Sequence, residues 1–275
     1  MSEQLYFFKF DKEIASNKLS TLIKEDANFS YKQYLSENHS NNKKNLQFNT
    51  IVSKIDNNIE LLSTEELWSL YFWFSERTEK LKPNIEYFSI AGKTHEEMRN
   101  YGLDLFYEFT TTSQLRYFYN LLGDYDSLTD QWIEDSCVSD ELNGFLNYAI
   151  CYCGELTIFL NKYYYKSHDT DDENLHIAQL INDINSKSNS YFHKLALSEL
   201  ERSKEYNNET MQLVPKVIEF RQANDGKSYE MPMELYEIEK RESKIISVAC
   251  LLDTAISLKE EIKNYNGQIV RLHAY

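Results

Sequence analysis

The sequence predicts a mainly α fold: a single irregular multi-helix domain over residues 1–275, of about 9–11 helices, with a minor β element from the N- and C-terminal segments. Three observations carry this. The 275 residues hold only 7 Gly and 3 Pro. Sandwiches, barrels and doubly wound sheets consume those residues in tight turns. Long stretches repeat apolar residues at helical spacing, and strand-like segments stand at both ends. At 42% hydrophobic and 14% aromatic, the chain can bury a sizeable core.

The elements follow in order. Residues 5–10 (LYFFKF) are short, aromatic and bounded by charge, as in a strand. Residues 268–275 read the same way. Two lone strands are expected to pair with each other, because an unpaired edge is costly. Asp11 is placed to cap a helix over residues 11–25. Residues 36–47 are polar and Asn-rich, hence a loop. Ile51, Ile55, Ile59 and Leu62 form one face of a helix over 48–62. Ser63 or Thr64, with Glu66 or Glu65, matches a capping box at the head of a helix over 65–81. That helix holds Trp68, Tyr71 and Phe72 and is apolar almost all round.

A helix beginning at Thr94 is expected to run to a break at residues 110–112. Residues 114–122 follow, stopped by Gly123 as a C-cap. A short acidic helix is expected near 127–135 and a long one over 139–165. The long one places Leu142, Phe145, Leu146, Ala149, Cys153, Leu156 and Leu160 on a recurring apolar face. Its length approaches that of a membrane span. Its Asn, Gly and Glu155 fit a buried core helix better. Further helices are expected near 172–186, 189–206, 209–223 and 233–264.

No catalytic motif survives inspection. Ala91-Gly92-Lys93-Thr94 lacks the earlier glycine of a phosphate loop, where Tyr87 stands. GxSxG and GxGxxG are absent. His168, Asp169, Asp171, Asp172 and Glu173 are dense in metal-capable groups. Counted as a calcium loop, though, they meet Asn174 and Leu180 where Gly and Glu are required. Glu173 and His176 give one half of a di-iron helix motif, and its second copy is absent. No metal or cofactor is therefore expected. Cys137, Cys151, Cys153 and Cys250 form no CxxC and are expected to be buried free thiols. The first residues lack the pattern of a secretory leader, so a cytoplasmic location is expected. The abundance of Tyr, Asn, Lys and Ile suits an AT-rich bacterial or phage genome.

Charge is the informative feature. The formal net charge is −15, with a pI near 4.9. Residues 117–186 hold 13 acids against Lys162 and Lys166 alone, and residues 117–161 contain no Lys or Arg. Nucleic-acid binding is disfavoured on this ground. Such a cluster repels itself and so costs stability. A solvated surface that aids solubility accounts for it. A docking face for a basic protein accounts for it as well, because complementary charge speeds association. Asp124, Asp126, Asp130, Glu134, Asp135, Asp140 and Glu141 would form that face, with Trp132 as aromatic anchor and Asp169, Asp171, Asp172 and Glu173 beside it. The functional expectation is a non-enzymatic binding protein. By analogy of composition it is of the bacterial immunity or inhibitor kind, which neutralises a basic toxin or effector. Two alternatives are a metal-dependent hydrolase built on residues 168–176 and a structural interaction protein.

Overall fold

In a computed structural model of the protein, the described residues are 4–25, 53–59, 62–63, 66–67, 95–109, 112–129, 136–162, 168–187, 191–224 and 230–274. The architecture is mainly α. The strands are β1 (Gln4–Phe10), β2 (Leu103–Phe109), β3 (Ser136–Val138) and β4 (Gln268–Ala274). The helices are α1 (Lys12–Glu25), α2 (His95–Arg99), α3 (Thr112–Thr129), α4 (Ser139–Leu160), α5 (Asp171–Lys187), α6 (Tyr191–Ala223), α7 (Met233–Ala249) and α8 (Leu251–Ile262).

The strands form one antiparallel sheet in the order β2-β1-β4-β3. As the sequence led us to expect, its central pair joins the N- and C-terminal segments, in unbroken register from Gln4↔Ala274 to Phe10↔Gln268. The sheet separates two cores, which is why residues 5–10 are apolar on both faces. Leu5 and Phe7 face a large core shared with α3, α4 and α8. Phe8 and Phe10 face a smaller one with Ala15 and Leu19 of α1, Leu62, Leu67, Met98 and Tyr101. Ile269 and Val270 of β4 divide the same way. On β2, Phe7 pairs with Tyr107 and Phe8 with Leu105, so Phe106 is an extra, bulged residue. The bulge turns Leu103 and Leu105 to the small core and Tyr107 and Phe109 to the large one.

Local signals explain several helix starts. Asp11 Oδ1 accepts a hydrogen bond from the Ile14 N–H at 3.0 Å, so Asp11 caps α1. Ser63 and Glu66 form a reciprocal capping box: Ser63 N–H donates to Glu66 Oε2 at 2.7 Å, and Glu66 N–H donates to Ser63 Oγ at 3.1 Å. Lys54 pairs with the same carboxylate at 2.7 Å, and these contacts hold it below the usual range despite some burial. Replacing Asp11 with alanine is expected to cost about 1 kcal/mol, the usual worth of a side-chain cap. The urea midpoint should fall accordingly, and Asp11→Asn should restore most of it.

α4 is the central helix. Thirteen of its 22 residues are buried, which fits a core element wrapped on most sides. Leu142, Phe145, Leu146, Ala149, Leu156 and Leu160 are each at most 3% exposed. Phe145 meets Phe118 and Tyr125 of α3 edge-on, with ring centroids 5.3 and 5.6 Å apart. α5 approaches closely at Gly154, where a Cβ would lie 2.9 Å from Ile177 Cγ2. Among the described residues, no helix is long and apolar enough to cross a membrane.

The structure departs from the sequence expectation at six places. The helix from Thr94 ends at Arg99, and residues 103–109 are a strand. Gly102 makes the turn with φ +77°, and the open edge of β1 recruits the segment that follows. The short strand β3 stands just before α4, pairing with β4. α3 runs through Gly123, because Leu121, Leu122 and Tyr125 keep packing on the core, which outweighs about 1 kcal/mol of glycine penalty. Residues 127–129 end α3, and the rest of the expected short helix lies outside the described residues. The two helices expected over 189–223 are one, with Pro215 inside it and exposed. The helix over 233–264 is two, parted at Cys250. Trp68, Tyr71, Phe72 and the loop over 36–47 lie outside the described residues.

Candidate functional site

The base-free stretch builds α3, β3 and α4. Its acids do not gather on one face. Asp124 is exposed near the end of α3. Desolvation raises its carboxyl above the usual range, and Lys244 of α7 partly offsets this. Asp126 is only 6% exposed, so it is turned into the protein and cannot meet a partner. Asp140 and Glu141 are exposed on the first turn of α4. Asp130, Trp132, Glu134 and Asp135 lie outside the described residues.

The second group of acids stands elsewhere. Asp169, Asp171, Asp172 and Glu173 are exposed around the start of α5. Asn161, just past the end of α4, donates to Glu173 Oε2 at 3.3 Å and to Asn174 Oδ1 at 2.9 Å. The start of α5 is thereby fixed to the C-terminal end of α4, while Asp140 and Glu141 occupy its N-terminal end. A helix of 22 residues is about 33 Å long, so α4 holds the two acidic groups apart by roughly that distance. Both groups complement a helix dipole, which gives each a structural role as well.

Two features could not be read from the sequence. His193 of α6 sits between Glu155 of α4, at 3.0 Å from Nε2, and Asn185 of α5, at 2.7 Å from Nδ1. This half-buried trio ties three helices together. The other feature is a cleft of about 610 Å³ between α4, α5 and α8. Lys187 of α5, Lys259 of α8 and Lys263, the residue that caps the end of α8, line it, with 72 positions between the first two in sequence.

Among the described residues, no group of three or more His, Cys, Asp or Glu side chains could hold a metal ion. His176 is exposed on α5. Burial pushes the Cys151 thiol up to about 12 and the Cys153 thiol upward as well, so neither supplies thiolate at neutral pH. Cys250 is exposed rather than buried, because it occupies the turn between α7 and α8. Comparison with protein-family models found no match, and no curated protein and no solved structure matches the chain.

Proposed function

We propose that the chain is a binding protein that docks a basic protein partner, in the manner of a bacterial immunity or inhibitor protein. One observation carries this reading. Asp124 near the end of α3 and Asp140 and Glu141 on the first turn of α4 are exposed, within a stretch of 45 residues whose sequence contains no Lys or Arg. Tyr125 of α3 packs on Phe145 and Tyr148 of α4; burial raises its hydroxyl to about 12, and Tyr191, Asp126 and Glu141 add to this. Surface charge of one sign steers an oppositely charged partner and rejects like-charged ones. The acids at residues 169–173 form a second contact. An ordinary interface of about 800 Å² a side is roughly 30 Å across, so a protein-sized partner can reach both ends of α4.

The test is capture of basic proteins by the purified chain at low and high salt. The variant to compare is Asp124→Asn/Asp140→Asn/Glu141→Gln. Binding by the wild type should fall with salt, because exposed attraction is screened beyond roughly 8–10 Å at physiological ionic strength. The triple variant should bind at least about tenfold more weakly, chiefly through slower association. Its thermal midpoint should hold or rise as self-repulsion falls. A partner held equally by both proteins at both salts would reduce the acids to a solubility role.

A further inference from the structure

A cation inside the cleft between α4, α5 and α8 is hydrogen-bonded to an amide rather than to a carboxylate. Lys259 of α8 is half-buried and donates to Oδ1 of Asn147, a buried amide of α4. Among the described residues no carboxylate pairs with it. The acids of the same wall, Asp140, Asp183 and Glu260, are exposed, and Glu260 is within 3.4 Å of Lys263 instead. Burial disfavours the ammonium and holds it below the usual lysine range; the charges of Lys187 and Lys263 act the same way, and Cys151 and Glu260 act against them. A half-buried charge with a neutral partner costs stability, and fold alone gives no return for it. A hydrophobic residue there would pack without that cost.

The surroundings suit a ligand. The cleft lies within the 300–1,000 Å³ range typical of small-molecule sites. Ile184, Phe192 and Ile256 give it apolar walls, and Asn143 and Asn266 add amides that can donate or accept. Lys187, Lys259 and Lys263 line it beside the exposed acids Asp140, Asp183 and Glu260, and Lys259 is the half-buried one of the three lysines. Lysines bind oxyanions as point charges.

We infer that this cleft binds a small molecule carrying a phosphate or carboxylate group, which seats against Lys259 while its apolar body lies on Phe192 and Ile256. The cleft shares Asp140 with the proposed acidic docking surface but takes a small anion rather than a basic protein, and Lys259 lies outside that surface.

The experiment is an NMR titration of isotope-labelled full chain with phenyl phosphate and with benzoate, against sodium chloride at matched ionic strength. Saturable shifts at the Asn147 side-chain amide and the Ile256 methyls are expected with at least one anion, and the tighter of the two identifies the head group. Lys259→Gln should weaken that binding by about tenfold or more, as for loss of a charged hydrogen bond. It should not lower the thermal midpoint, because it removes a poorly solvated charge. Lys244→Gln, on α7 and not lining the cleft, should bind as wild type does. If Lys259→Gln fails to fold, the place of the wild-type shifts decides alone. Shifts no larger than those from chloride, or equal binding by a folded Lys259→Gln, would overturn the inference.

Discussion

Replacing Gly102 with valine is expected to destabilise the protein by about 3–4 kcal/mol. Gly102 has φ +77°, a conformation that costs an L-residue roughly 1–2 kcal/mol and a β-branched one more. The second cost is steric. A Cβ there would stand 2.5 Å from the Asp11 carbonyl oxygen and 3.0 Å from the Ala15 nitrogen. Those two atoms are hydrogen-bonded to each other in the first turn of α1, and the Asp11 N–H donates to the Gly102 carbonyl at 2.8 Å. Backbone meets backbone, so no side chain can swing aside. The valine must break the junction that seats α1 against β2. Gly123 is the control. It lies within α3, and a Cβ there meets nothing within 4 Å. Gly123→Ala should therefore be neutral or stabilising by about 0.5–1 kcal/mol. Urea unfolding of both variants checks the pair. Equal shifts would show that the turn at Gly102 can relax.

Leu146→Ala is expected to cost about 2–5 kcal/mol, from lost transfer energy and the cavity left behind. Leu146 is fully buried in the large core, near the middle in sequence of a helix whose neighbours enclose it on most sides. The site has little room to collapse, which favours the upper part of the range. Leu175 on α5 is 59% exposed, and its truncation should shift the midpoint little. A Leu146→Ala midpoint close to that of Leu175→Ala would place α4 at the edge of the core.

Where the signal was local, the fold was legible in the sequence. Asp11, the Ser63–Glu66 box and the period of α4 each act within a few residues of themselves. The pairing of residues 4–10 with 268–274 was legible for another reason: each segment needed a partner, and the chain suggested no other. β2 was not legible, because LDLFYEF becomes a strand on an edge supplied from about 95 positions away. Gly123 and Pro215 are local stop signals overruled by tertiary packing, while the break at Cys250 has no local signal at all. The acidic residues were legible as composition. Their placement was not, since the length of α4 separates them and Asp126 turns inward. The lysines of the cleft come from α5 and α8, and nothing in their spacing announces that they meet.

The place of β1 in the sheet has a consequence for synthesis. β1 is synthesised more than 250 residues before its partner β4. At about 5–20 residues per second that is an interval on the order of tens of seconds. β2 can cover one edge of LYFFKF about 100 residues after β1 is made, but the other edge stays open until β4 appears. An aromatic strand with a free edge is a template for pairing with other chains. The nascent protein is therefore most vulnerable to aggregation in the interval between β1 and β4, and a chaperone that shields short aromatic strands would raise its yield without altering its final stability.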